Sequence, residues 1–192
     1  MPSENQLILA SGSPRRRELL AMLGVRFAID PAHGEERPPL GASPQDTVKA
    51  LALAKAQETA SRHSGAVVIG ADTVVELDGQ ILGKPTDAAD AERMLALLSG
   101  REHCVHTGVA IVTDGKTLTG CETTRVRFRP LSGEEIRRYV SGGEPLDKAG
   151  AYGYQGGAAI FVEGIVGDYY NVVGLPLCRL ESMLKQQGVA LV

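Results

Sequence analysis

Residues Val67-Val68-Ile69-Gly70-Ala71 form an unbroken apolar run that continues through Asp72-Thr73-Val74-Val75. A strand wet on one face alternates apolar with polar residues, whereas a strand covered on both faces reads as a continuous hydrophobic stretch. The run therefore predicts a buried central strand, which must be packed between further layers. Leu7-Ile8-Leu9-Ala10 is another apolar run, followed by Ser11-Gly12-Ser13-Pro14-Arg15-Arg16-Arg17. It reads as strand, small-residue turn and helix, with Ser13 suited to the N-cap and Pro14 to the first helical position.

The rest of the chain alternates helical and strand patterns. Helices are expected over residues 15–23, with Leu19, Leu20, Met22 and Leu23 toward the core, and over 45–60, with Val48, Leu51, Ala52 and Ala56 at helical spacing. A third covers 88–98, capped by Thr86 or Asp87, and a fourth opens at the capping box Ser132-x-x-Glu135 and ends at Gly142-Gly143. A last helix opens at Pro176, with Leu177, Leu180, Met183 and Leu184 inward. Asp78-Gly79 signals a hairpin before Ile81-Leu82, and strands are expected over 105–112, 118–128 and 158–162. Residues 30–44 read as a long loop, and 144–157 as a polar, glycine-rich stretch. Hairpins interrupt the alternation, which argues for an α/β protein with a mixed sheet.

Composition narrows the function classes. A chain of 192 residues allows one large domain or two small lobes. Its net charge of −3 disfavours a broad nucleic-acid or anionic-membrane surface, so any anion site must be a local cluster of basic residues. Cys104, Cys121 and Cys178 are far apart and odd in number, and read as small core hydrophobes in a reducing compartment rather than a disulfide or zinc framework. Residues 1–6 are polar, which predicts no signal peptide, and no apolar run is long enough to span a bilayer. A soluble, cytoplasmic protein is expected.

Several positions carry chemistry. Arg15, Arg16 and Arg17 oppose the helix dipole in the first turn, and a polyphosphate bound at that helix start would relieve the repulsion. Asp72 emerges from a buried strand, where an unpaired carboxylate is costly. Metal coordination or activation of a water would account for it, and so would a structural pairing with a lysine. Lys55 lies on the apolar face of its helix, Lys84 in the stiff turn Gly83-Lys84-Pro85, and Glu35 and Glu36 in the long loop. The stretch from Glu144 to Gly157 holds Lys148, Tyr152, Tyr154 and Gln155 among glycines that let backbone approach a ligand. A tyrosine can stack on a base and a glutamine can read its edge. The four histidines show no metal-ligand spacing on one face: His103 and His106 lie three apart near a strand start, which places them on opposite faces. There is no dinucleotide fingerprint and no Walker loop, which disfavours an oxidoreductase or an ATPase.

Taken together, SGSPRR at 11–16, GADTVV at 70–75, GKP at 83–85, LSGREHCVHT at 98–107, EPLDKAGAYGYQG at 144–156 and YYNVVGLP at 169–176 resemble the Maf family of nucleotide pyrophosphatases, first named for septum formation. The resemblance covers almost the whole chain. It implies a single Maf-like domain over residues 1–192, with a mixed, elongated, twisted sheet, flanking helices and two lobes around a cleft, similar to the inosine triphosphate pyrophosphatases. It implies hydrolysis of a nucleoside triphosphate to the monophosphate and pyrophosphate with a divalent metal, Mg2+ or Mn2+. On this resemblance Asp72 is the general base and a metal ligand. Glu36, with Glu35 adjacent, is the loop acid that helps hold the metal. Ser13, Arg15, Arg16, Lys55, Lys84 and Lys148 bind substrate, and Arg15, Thr73 and Gln155 match positions that choose the base. AGAYGYQG resembles the branch acting on dTTP and UTP, although Tyr154 stands where an aliphatic residue is expected. The family permits a homodimer; no nucleic-acid polymer or membrane partner is implied. The rival readings are a nucleotide-sensing regulator of division and a pyrophosphatase for 7-methyl-GTP or other purine triphosphates.

Overall fold

The structure is a computed structural model and describes residues 6–189 and 191. Most of the polar start, residues 1–5, on which the signal-peptide reading rests, lies outside the described residues. Seven strands form one mixed sheet: β1 (Leu7–Leu9), β2 (Ala28–Ile29), β3 (Val67–Leu77), β4 (Gln80–Leu82), β5 (Glu102–Thr113), β6 (Lys116–Phe128) and β7 (Val162–Val166). Their order is β2-β1-β3-β5-β6-β7, with β4 also paired to β3. β1 runs parallel to β2 and to β3, while the β3–β4 and β6–β7 pairs are antiparallel. The helices are α1 (Pro14–Ala21), α2 (Pro44–Ala60), α3 (Ala88–Leu98), α4 (Gly133–Ser141), α5 (Tyr169–Val173) and α6 (Leu177–Gln186).

The chain divides into two compact units. One takes in the chain up to Asp72, Thr107–Glu122 and the chain from Gly174; the other takes in Thr73–His106 and Thr123–Val173. Strands β3, β5 and β6 each contribute residues to both. In the first unit the core is built from small and medium side chains, among them Ile8, Ala52, Ala56, Val68 and Ala110. Small residues let α2 lie close on the sheet. A Cβ at Gly70 would stand 2.2 Å from the Ala52 carbonyl oxygen, and one at Gly108 would stand 2.2 Å from that of Val48. The second unit packs larger groups: His103, Phe128 and Tyr152 meet edge to face, with Phe161 against Phe128.

Local signals translate into local structure where they are strong. The Ser132 capping box forms on both sides, and Asp87 rather than Thr86 caps α3, its side chain accepting from the Asp90 N–H. Asp78 and Gly79 both have positive φ, as a tight right-twisted hairpin requires. Three expectations need correction. Residues 158–162 do not form a strand: Gly157–Phe161 is a 3-10 turn, and the strand is β7, Val162–Val166. Ala158 and Phe161 are both buried, at the three-residue spacing of such a turn, while β7 is an edge strand with no fully buried residue and so has no hydrophobic signature. Met22 does not enter the core; α1 stops at Ala21 and Met22 is 56% exposed. The cysteines are not core residues either: Cys104 and Cys121 are half-buried and Cys178 is exposed, on the outer side of a helix whose other face carries the inward leucines. No helix among the described residues is long and apolar enough to cross a membrane.

Candidate active site

The first unit brings together the basic helix start, the long loop, α2 and Asp72, which lies in the middle of the largely buried β3. Lys55 projects from α2 and its Nζ donates to Asp72 Oδ1 at 2.6 Å. The same ammonium lies 2.8 Å from Glu36 Oε1, so one cation joins two carboxylates. Lys55 and Asp72 are largely buried, with side chains 18% and 11% exposed, whereas Glu36 is 58% exposed and closes the group on its solvent side. Glu35 turns away and pairs with Arg37 in solvent. Of the two adjacent loop acids, it is therefore Glu36 that reaches Asp72's partner.

The turn before α1 is wired from within. Ser11, 8% exposed, accepts at Oγ from the Ser13 N–H and from Arg16 Nη1, and Arg16 Nε donates to the Gly174 carbonyl. Ser13 occupies the N-cap, but its side chain makes no capping hydrogen bond. α1 has no acid in its first turn, as the three arginines require. Burial lowers the Arg16 guanidinium below its ordinary pKa; attraction to Asp72 and Glu36 opposes the shift, and repulsion from Arg15 adds to it. Those couplings place Arg16 in the field of both carboxylates and of its neighbouring arginine. The chemical content of the group is a basic helix start together with a pair of carboxylates bridged by an ammonium. Such a group can bind phosphate oxygens, and the two acids can take a proton or a cation.

The remaining candidates lie in the second unit. Thr73, half-buried, follows Asp72 directly on β3. Lys84 and Gln155 are exposed. The Gly83 carbonyl accepts from the Gly150 N–H at 3.0 Å, which ties the Gly83-Lys84-Pro85 turn to the glycine-rich stretch. Lys148 folds back on that stretch, its Nζ donating to the Glu144 carbonyl and to Asp147. Of the two tyrosines singled out as base-stacking candidates, Tyr152 is buried and donates or accepts at its hydroxyl with His103 at 2.8 Å. Tyr154 instead packs edge to face with Tyr169, and Tyr169 with Tyr170.

Two features escaped the sequence. Ser11 was legible only as part of a turn, since its role depends on a partner five residues on. Glu76, Cys104 and His106 converge although they come from different strands, and adjacency of strands is not readable from spacing. His103 and His106 do point to opposite faces, as their separation requires: one packs on Phe128, the other bonds Thr123.

The family model described as Maf-like protein matches residues 6–187. The chain belongs to the Maf-like family. Its Maf-like relatives include a protein of Symbiobacterium thermophilum named dTTP/UTP pyrophosphatase, 55% identical over 183 residues, covering 95% of this chain and 94% of the relative. A protein of Bacillus mycoides with the same name is 55% identical over 181 residues, covering 94% of this chain and 95% of that one. Among solved structures, a HAM1 protein from Coxiella burnetii aligns over 95% of this chain and 99% of its own, with a TM-score of 0.49 and 16% identity. A nucleoside-triphosphatase / dITP/XTP pyrophosphatase from Mycobacterium abscessus aligns over 66% and 75%, with a TM-score of 0.43 and 23% identity.

Proposed function

We infer that this Maf-like chain is a nucleoside triphosphate pyrophosphatase that converts dTTP and UTP to their monophosphates and pyrophosphate. The observation that carries the substrate is the name shared by relatives about 55% identical over nearly their whole length. That name does not favour the purine reading or the sensor reading. The substrate acts in solution, with neither nucleic-acid polymer nor membrane as partner, and a cytoplasmic location and a homodimer fit the reading.

The residues divide the work as follows. Asp72 takes the proton of the water that attacks the α-phosphorus, and Lys55 fixes that carboxylate in place through its 2.6 Å contact. Arg15 and Arg16, with Ser13 and the N–H groups of the α1 start, receive triphosphate oxygens, assisted by Lys55, Lys84 and Lys148. Positive groups there stabilise the charge that builds on the departing pyrophosphate. Arg15, Thr73 and Gln155 select the base. Glu36 and Asp72 fit a divalent cation: their oxygens already converge on one ammonium, and an all-oxygen pair suits a hard ion such as Mg2+ or Mn2+. Such an ion, when bound, neutralises phosphate oxygens and orients the triphosphate.

The test is pyrophosphate release from dTTP, UTP, CTP, GTP, ITP and 7-methyl-GTP, each with Mg2+ or Mn2+. Release from dTTP and UTP above the others is expected, and preference for a purine nucleotide would overturn the assignment. Asp72→Asn should lower kcat by about 10²–10⁴-fold with nucleotide binding retained. Unchanged turnover in that variant removes Asp72 from the mechanism.

A further inference from the structure

The unit containing Thr73–His106 holds a second group of donors, independent of the site proposed for the triphosphate. Glu76 lies on β3 and Cys104 and His106 on the neighbouring β5; one donor atom from each lies within 4.8 Å of the other two. Cys104 and His106, two apart on one strand, share a face. His106 is 1% exposed, with Nδ1 2.8 Å from Thr123 Oγ1 and Nε2 3.5 Å from Glu76 Oε2. The Thr123 hydroxyl engages one ring nitrogen, and the other faces the carboxylate at a distance too long for a strong hydrogen bond. This is how a ligating imidazole is commonly held: an outer partner fixes the tautomer and orients the ring. Glu76 is braced in turn, its Oε1 accepting from the Gly79 N–H of the β3–β4 hairpin.

Cys104 is only half-buried, so an ion has a route in.

We propose that Glu76, Cys104 and His106 form a binding site for a borderline divalent transition metal, Zn2+ foremost, with a fourth position open to water. A sulfur, nitrogen and oxygen donor set selects such an ion, whereas Mg2+ prefers oxygens throughout. Binding forms metal bonds to the thiolate, the imidazole and the carboxylate, and the Cys104 thiol proton passes to solvent. No oxidation state changes. The site is separate from the oxygen pair of Glu36 and Asp72 and different in the ion it takes.

The experiment is a titration of the chelator-stripped full chain with Co2+, followed by Zn2+. One equivalent of Co2+ should produce a thiolate-to-cobalt charge-transfer band, which Zn2+ abolishes and excess Mg2+ does not. Asp72→Asn should keep the band and Cys104→Ser should lose it. Thr123→Val should weaken Co2+ binding by about 10–100-fold, the usual effect of removing an outer partner. Should Cys104→Ser fail to fold, the double variant Cys121→Ser/Cys178→Ser decides, because Cys104 is then the one thiol left. Retention of the band there supports the site and its loss overturns it. Absence of a band in the unaltered chain, or its persistence in a folded Cys104→Ser variant, equally overturns the proposal.

Discussion

Lys55 serves two acids at once, so its removal is felt at both. In Lys55→Met the Asp72 and Glu36 carboxylates face each other without the shared ammonium. Breaking a fully buried ion pair costs several kcal/mol, but Glu36 is 58% exposed and water screens the repulsion. A loss of about 1–3 kcal/mol is expected, read from urea unfolding; no loss would mean that the bridge is idle in the folded state. His103 gives a pH signature. Burial lowers its pKa from 6.5 to about 4, so between those values the unfolded chain binds a proton that the folded chain does not. Unfolding free energy should therefore fall as pH drops from 6.5 toward 4, by about 3 kcal/mol in full. His106, also lowered by burial, acts in the same direction. Glu135, held down to about 2 by Arg129 and the Ser132 cap, loses its contribution only below pH 4.5. A stability curve flat between pH 6.5 and 5 would refute the histidine term. At this scale the sequence told charge from context unevenly. Asp72 stood out because a carboxylate interrupts a buried strand. Glu36 could not be told from Glu35, since a loop has no periodicity to say which side chain turns inward. The same limit hid Tyr152, an aromatic core residue inside a stretch that reads as polar.

Helix α2 is seated by what is missing beneath it. Gly108 passes under Val48, and an added Cβ would stand 2.2 Å from the Val48 oxygen and 2.3 Å from its carbonyl carbon. Both atoms are backbone, which cannot rotate away. Gly108→Ala should destabilise the chain by about 1–3 kcal/mol or leave it unfolded, as overpacking does. Thermal melting checks this, and an unshifted Tm would mean that α2 is free to ride outward. The elements themselves were largely legible. The buried β3, the capped α3 and α4 and the hairpin at Asp78-Gly79 each carry a strong local signal. The misplaced strand shows where such signals end. β7 hydrogen-bonds β6 along an edge and carries a Glu and a Gly among half-exposed valines, so pairing rather than burial defines it. Two-residue β2 and five-residue α5 are too short to show a period at all.

On the scale of the whole molecule, neither unit is a continuous piece of chain. The first needs Thr107–Glu122 and the segment from Gly174 as well as the residues up to Asp72. A fragment ending at Asp72 therefore lacks part of its own unit and should show no cooperative unfolding by circular dichroism. A folded fragment would contradict that division. Such an arrangement is invisible in sequence, where β1 and β3 stand far apart yet pair in parallel and no linker marks a boundary. Charge is more readable at this scale: a net of −3 required that any anion site be local, and the arginines of the α1 start are. The ammonium shared by Glu36 and Asp72 is, in these terms, a counter-ion on a tether. A dissolved counter-ion answers to the salt around it and leaves when that salt is diluted. This one is covalently attached, so the resting protein keeps its two carboxylates together at no cost in recruited ions, and raised ionic strength should loosen the exposed Glu36 half well before the buried Asp72 half.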